Sequence, residues 1–239
     1  MDFYSLLSRY YDEVFAVNAD EMRFAADLLR DRESLLDIGC GTGNKTVFLA
    51  ENRRRVVAFD NDPGMIGAAR RDHALPNIEY LLLDMDGIGA AFSRDEFDAA
   101  TCLGNTLAHV TGAEDLERVL KAVSEVIAPG GVFMPQILNY NRIMDRNITA
   151  LPRIETANAL FIRTYEWRNG DMHFVTRLEE KASGAAFVND IVLRPIRKEE
   201  LAGTLEAAGF GAVDWYGNYK GEPYGEDSFH CIAKAVKKG

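Results

Sequence analysis

No stretch of this 239-residue chain approaches the ~20 consecutive apolar residues of a membrane span, so a membrane-embedded function is not expected. Cysteine is scarce. Cys40, Cys102 and Cys231 are odd in number, far apart and set in apolar segments, which suits buried thiols in a reducing compartment and speaks against a disulfide framework or a cysteine zinc site. Four scattered histidines offer no metal-ligand spacing, and no metal is expected. Basic residues are the minority, 27 Lys and Arg against 37 Asp and Glu, and the formal net charge is -10. A broad surface that neutralises phosphates is therefore excluded; nucleic acid is not an expected partner beyond a local basic cleft. The run Arg53–Arg55 reads as a solvated turn before a strand rather than an anion site. The opening MDFYSLLSRYYDEVF has no basic start, no long apolar stretch and no small-residue cleavage site, so a cytoplasmic location is expected. Internal repeats and low-complexity linkers are absent.

What is present is an alternation of apolar runs and helical stripes, long enough for one α/β domain. SLLDI ends in a glycine turn and leads into NKTVFLAEN, which has helical spacing. RVVAFDND is a second buried strand ending in acids, with Pro63 at the first turn of the next helix. NIEYLLLDMD and FDAATCLGN repeat the pattern; Leu116, Val119, Leu120, Val123 and Ile127 make a helical stripe stopped by APGG, and VFMPQILNY is a fifth strand. Continuous apolar strands separated by helices predict a parallel sheet covered on both faces, whose ligands bind beyond the strands' carboxyl ends. After Asn141 the pattern becomes β-rich, with turns at RNGD and ASGA, which predicts an antiparallel insertion after the fifth strand. A helix ending at Gly209 and two final strands complete the chain.

Gly39, Gly41 and Gly43 allow positive φ and bring bare backbone against a ligand. A dinucleotide fingerprint would need a third glycine where Asn44 stands. Asp37 also lies where a phosphate at a helix N-terminus would meet negative charge, so the turn suits a cationic ammonium group instead. Asp60, at the end of the second strand, is placed to accept from both ribose hydroxyls. A nucleoside with an amino-acid tail and no phosphate satisfies both demands.

LLDIGCGTGN, VVAFDND and LLLDMD together resemble the first three motifs of the class I S-adenosylmethionine-dependent methyltransferases, over roughly residues 33 to 140 and the last two strands. The resemblance implies a Rossmann-like, doubly wound, seven-stranded, mostly parallel α/β sheet. It divides a single methyltransferase domain, 1–239, into a helical cofactor cover at 1–32, a core at 33–140 and 196–239, and a β-rich substrate lid at 141–195. S-adenosylmethionine is the implied cofactor and S-adenosylhomocysteine its product. Asp37 would reach the methionine amino group; Gly39, Cys40, Gly41, Gly43 and Leu103 would line the cofactor, and Asp60 would hold the ribose. Asn61 and Met65 would flank the adenine, with Asp84 and Met85 at its amino group and ring, Met65 being equally a core filler. Tyr10 or Tyr11 would fold over the cofactor or pack in the core; Tyr11 is taken as the cofactor residue.

CLGNTLAH, residues 102–109, and ILNYN, residues 137–141, resemble glycine and sarcosine N-methyltransferases more narrowly. That likeness makes Asn105 and His109 candidate catalytic residues and Asn105, Asn139 and Tyr140 candidate substrate-binding ones. The spacing of Asn105 and His109 would place them on one helical face, His109 acting as a base or a capping residue. Where that group has a carboxylate-clamping arginine this chain has Leu138, leaving Arg142 or Arg163 to supply the charge from a shifted position. The expected activity is methyl transfer to nitrogen or oxygen of a small molecule. The alternatives are a protein or tRNA methyltransferase and a non-catalytic S-adenosylmethionine-binding regulator. The sequence fixes neither the acceptor nor the oligomeric state.

Overall fold

The computed structural model describes residues 3–239, with side chains from residue 7 onward; the first two residues of the 1–32 segment lie outside the described residues. Two helices, α1 (Phe3–Val14) and α2 (Ala19–Leu28), precede the alternating core. The core runs β1 (Ser34–Ile38), α3 (Thr46–Leu49), β2 (Arg55–Asp60), α4 (Pro63–Asp72), β3 (Ile78–Leu82), α5 (Ile88–Ala91), β4 (Phe97–Cys102), α6 (Ala113–Val126) and β5 (Ile127–Leu138). Then come α7 (Tyr140–Asp145) and the short β6 (Ile154–Glu155), β7 (Ala159–Arg168), β8 (Asp171–Glu180) and β9 (Ala186–Leu193). The chain closes with α8 (Lys198–Ala207), β10 (Phe210–Tyr216) and β11 (His230–Lys237).

The main sheet has seven strands in the order β10-β11-β5-β4-β1-β2-β3. Every pair is parallel except those made by β11, which runs antiparallel to both β5 and β10. Leaving β1, the chain moves outward to β2 and β3 and then returns to β4 on the other side. The carboxyl ends of β1 and β4 thus flank the topological switch point, where sheets of this kind bind ligands. The apolar runs are fully buried because helices cover both faces: Leu35, Leu36, Val56, Val57, Ala99 and Ala100 expose nothing. In α6, Leu116, Val119, Leu120 and Val123 form the expected stripe against this core, each worth about 1.5–3 kcal/mol relative to an exposed side chain.

Three local expectations change. Ile127 is not the last residue of the α6 stripe but the first of β5, and APGG lies inside that strand, where the register against β4 jumps between Phe97 and Ala99 and Gly130 takes φ +75°. The helix after the glycine turn shrinks to one turn, closed by Asn52 at φ +59°. Arg53 is not solvated: its guanidinium reaches the carbonyls of Leu49 and Leu29, while Arg55 pairs with Glu96 at 2.8 Å.

The β-rich segment is a separate four-stranded antiparallel sheet, β6-β7-β8-β9. Its β7–β8 hairpin turns on Asn169 and Gly170, both at positive φ, as a tight primed turn requires. Strand alternation gives this sheet an inner face. Phe161, Arg163 and Tyr165 of β7 pair with Leu178, Thr176 and Phe174 of β8. No helix among the described residues is long and apolar enough to cross a membrane.

Candidate active site

The glycine turn follows β1 with Gly39, Gly41 and Gly43 at φ +69°, +57° and +77°, conformations in which a side chain is strained. Their bareness serves the protein as well as any ligand. A Cβ on Gly39 would meet Thr106 at 2.3 Å, one on Gly41 the Tyr11 hydroxyl at 2.9 Å, and one on Gly43 the Tyr80 hydroxyl at 2.5 Å. The collisions expected against a ligand are therefore, in this structure, collisions with neighbouring side chains. The amides of Gly39 and Cys40 share the Phe59 carbonyl, which ties the turn to β2.

Three acids lie at or near the carboxyl ends of β1, β2 and β3. Asp60 is fixed by the backbone N–H of Gly41 at 2.9 Å and of Asp62 at 3.0 Å, one on each carboxylate oxygen. Each oxygen keeps a lone pair for a further donor. Asp37 accepts from Thr46 at 2.7 Å and Thr101 at 2.8 Å. Burial pushes the pKa of both carboxyls up, opposed at Asp37 by the two threonines and Lys45, and at Asp60 by the backbone donors. Desolvation, with these acids beside it, also raises the Cys40 thiol. Asn61 donates to Asp84 at 3.0 Å, joining the ends of β2 and β3, and Asp84 caps the turn that carries Met85. Neighbouring buried carboxylates repel one another, and a cationic ligand relieves that repulsion. The donor set therefore fits a positively charged nucleoside and opposes phosphate. No cluster of metal-ligating side chains occurs among the described residues.

Helix α1 lies across this turn. Thr42 donates to Asp12, Asn44 donates to the Phe15 carbonyl at 3.0 Å, and His73 bridges the Thr42 carbonyl at 2.8 Å and Asp12 at 3.4 Å. Tyr11 sits on Gly41, and burial beside Asp60 holds its phenol well above the usual tyrosine range. Tyr10 instead reaches Glu180 of β8. Met65 takes the core-filling role of its two expected ones, packed with Leu7, Val14, Phe161 and Leu178 where α1, α4 and the four-stranded sheet meet. A surface cavity of about 390 Å³ bordered by Asn18, Tyr219, Lys220 and His230 lies elsewhere, lined by none of the glycine-turn residues.

At the carboxyl ends of β4 and β5, Leu103 is buried and its carbonyl accepts from Thr106 at 2.7 Å. Asn105 adopts φ +70°. Its side-chain oxygen accepts from the Leu138 amide at 2.9 Å and its nitrogen donates to the Tyr140 hydroxyl at 2.9 Å, leaving one amide N–H for a ligand. Asn105 and His109 do not share an α-helical face. Thr106–His109 is a 3-10 turn, in which positions four apart diverge. His109 keeps an exposed edge, while the protein packed around its imidazole desolvates it and lowers its pKa below the ordinary histidine value. Asn139 is corrected from substrate residue to structural pin. It is 1% exposed; its oxygen accepts from the Arg142 amide and the Tyr224 hydroxyl, and its nitrogen donates to the carbonyls of Gly225, Glu226 and Ser228. Tyr140 is buried down to its hydroxyl. Replacing it with Phe removes the brace on Asn105 and is expected to cost about 1 kcal/mol, lowering the melting temperature by about 2–4 °C. An unchanged melting temperature would mean that the Leu138 amide alone holds Asn105.

Comparison with known proteins agrees with this geometry. A family model described as a methyltransferase domain matches residues 35–131, from the glycine turn to β5. The chain is 28% identical to a glycine/sarcosine/dimethylglycine N-methyltransferase of Actinopolyspora halophila over 87% of its own length, but spans only 36% of that protein. It is 24% identical to a glycine/sarcosine N-methyltransferase of Halorhodospira halochloris, covering 80% of this chain and 70% of the relative. An S-adenosylmethionine-dependent methyltransferase from Clostridium acetobutylicum shares the fold with a TM-score of 0.80 over 99% of each chain at 19% identity. Residues 35–131 match a methyltransferase domain, and by its motifs, its sheet order and these relatives the chain is similar to the class I S-adenosylmethionine-dependent methyltransferases.

Proposed function

We propose that this protein transfers a methyl group from S-adenosylmethionine to a nitrogen or oxygen of a small-molecule acceptor, in a space bounded by the glycine turn, Asn105 and the inner face of the four-stranded sheet. The observation that carries the reading is Asp60. A carboxylate fixed on both oxygens at the end of β2, beside a positive-φ turn and a second buried acid, suits ribose hydroxyls in a cationic nucleoside. In this reading Asp37 faces the ammonium group, Asn61, Asp84 and Met85 frame the adenine, and Gly39, Cys40, Gly41, Gly43 and Leu103 line the tail. Helix α1, with Tyr11, is the cover, and residues 141–195 are the lid.

The cofactor supplies an electrophilic methyl carbon: its bond to sulfur breaks as the bond to the acceptor forms, and the electron pair leaves with sulfur. The protein's own task is orientation and exclusion of water. Holding acceptor and methyl in line is worth roughly 7–11 kcal/mol. Asn105 orients the acceptor through its free N–H. His109, kept neutral by desolvation, takes the proton that a hydroxyl acceptor releases, whereas a neutral amine needs no base during the displacement. Three buried free thiols fit a reducing cytoplasm. Incubation with methyl-labelled cofactor and a metabolite extract should yield a labelled small molecule identifiable by mass spectrometry. Label confined to protein or tRNA would make this a macromolecular methyltransferase, and binding without label a regulator.

A further inference from the structure

Four buried side-chain atoms among the described residues have no hydrogen-bond partner: Arg53 Nε, Arg163 Nε, the Tyr165 hydroxyl and Thr176 Oγ1. Three of the four fall together on the inner face of the four-stranded sheet. Arg163 is directly paired with Thr176, and Tyr165 is the next inward residue along β7. Tyr165 and Thr176 are each 3% exposed. The Tyr165 hydroxyl lies beside the Tyr140 phenol, whose oxygen already accepts from Asn105 at 2.9 Å. Leaving a buried polar group unmet costs about 1–3 kcal/mol, so such a cluster signals partners that arrive from outside the chain.

The charge of the cluster says what arrives. The Arg163 guanidinium is half-buried, and desolvation lowers its pKa. Among the described residues it donates from Nη2 to the Pro152 carbonyl at 2.7 Å and lies over the Phe161 ring at 5.9 Å, and no carboxylate pairs with it. A desolvated cation without a counter-charge is unfavourable until an anion joins it. Arg142, the other basic residue near the gap left by Leu138, has no such set of orphans around it.

Position completes the argument. Two residues before Arg163, Phe161 packs with Phe15 and Met65 on the cofactor side; two residues after it, Tyr165 packs in the cluster that holds Tyr140. At ~3.3 Å per residue, Arg163 and Thr176 overlook the space between these two walls. We infer that Arg163, Thr176 and Tyr165 form an anion-binding subsite in the lid sheet, which holds a carboxylate or comparable oxyanion of the methyl acceptor. This inference rests on the proposed function and assigns the acceptor's chemical class: a small acid, gripped from the lid rather than from the end of β5. The guanidinium offers Nε and Nη1, Thr176 and Tyr165 donate hydroxyl protons, and the reacting nitrogen or oxygen points towards Asn105.

The test splits a metabolite extract on an anion exchanger into retained and unretained fractions and incubates each with methyl-labelled cofactor and the full chain. The expected result is label from the retained fraction, with Arg163→Met reducing it at least tenfold at limiting extract, Arg163→Lys falling between, and excess extract restoring it. S-adenosylhomocysteine binding by calorimetry should stay within threefold of wild type in both variants, which also shows that they fold. Label arising from the unretained fraction, or Arg163→Met labelling as well as wild type, overturns the subsite while leaving methyl transfer intact. If the wild-type protein binds S-adenosylhomocysteine and labels neither fraction, the proposed function fails and the subsite with it. The comparison of fractions needs no variant, so it decides even if the arginine proves necessary for folding.

Discussion

Asp60→Ala is expected to weaken S-adenosylhomocysteine binding by at least a hundredfold, leaving no measurable heat in a calorimetric titration that saturates the wild-type protein. Two charge-assisted hydrogen bonds to ribose, each worth about 1.5–3 kcal/mol, are lost at once. The substitution also frees the Gly41 and Asp62 amides, both of which point at this carboxylate, so the turn that must face the cofactor loses its anchor to β2. Asp60→Asn separates the two contributions. It keeps an acceptor oxygen for one backbone amide but removes the charge, and should retain the fold with an intermediate loss of affinity. The electrostatic part has a definite sign. Burial raises the pKa of both Asp60 and Asp37, and the Asp60 charge adds to the rise at Asp37; a ligand bearing positive charge stabilises both anions. Affinity for S-adenosylmethionine, which carries the sulfonium, should therefore fall more than affinity for the neutral thioether product when Asp60 becomes Asn. If Asp60→Ala binds within threefold of wild type, the ribose does not sit at the end of β2 and the placement of the cofactor is wrong.

The part of this site that was legible in the sequence is the part that local backbone demands dictate. Gly39, Gly41 and Gly43 sit where positive φ is required, Asp60 ends β2, whose burial follows from its apolar run, and Asp84 follows the half-exposed edge strand β3. The RNGD turn and the Pro63 helix start are equally local. What was not legible depends on partners far along the chain. Asn139 was a candidate pocket residue through the likeness of ILNYN to the N-methyltransferase motif, yet its amide nitrogen donates to carbonyls at 225, 226 and 228, a loop that no spacing rule ties to it. Nothing in GCGTGN reveals that Thr42 and Asn44 clasp α1, since short polar residues in a glycine turn read as solvent- or ligand-facing. The orphan atoms of Tyr165 and Thr176 were hidden differently. Strand alternation assigns a face, but only the assembled sheet shows that no hydrogen-bond partner among the described residues answers their hydroxyls. Asn105 and His109 failed as a helical pair because the left-handed Asn105 starts a 3-10 turn, which the α-helical period does not describe.

A second large effect is expected from His230, at the start of β11, which reaches the candidate site only through Gln136 and Gly104. Its ring lies against Tyr219 and Phe229, with centroids at 4.8 and 4.9 Å. Burial, assisted by the nearby Lys45 charge, pushes its pKa down to about 4 from 6.5. The hydrogen bonds agree: Gln136 accepts the Gly104 amide on its oxygen at 2.8 Å, so its nitrogen donates to His230 Nδ1 at 3.1 Å, which must be unprotonated. The folded pKa is below the unfolded one, so between pH 6.5 and about 4 only the unfolded chain takes up this proton. The histidine's contribution is fully present above pH 6.5, is lost as pH falls through that window, and levels off below it. At about 1.36 kcal/mol per pH unit, the loss reaches about 3 kcal/mol. Asp37 and Asp60, whose folded pKa values are raised, act in the opposite sense and favour the fold as pH falls, so the total slope mixes both. The difference between wild type and His230→Asn, which does not titrate but still presents an acceptor to Gln136, isolates the histidine. Urea unfolding at pH 7.5, 6.0 and 4.5 should show the wild type losing stability faster than the variant on acidification, with the two curves parallel above pH 7. Parallel curves over the whole range would place His230 in contact with water and dissolve its link to Gln136. Because Gln136 also holds Gly104, the residue just before Asn105, protonation of the folded histidine near pH 4 should loosen that segment in the wild type, a step that His230→Asn lacks.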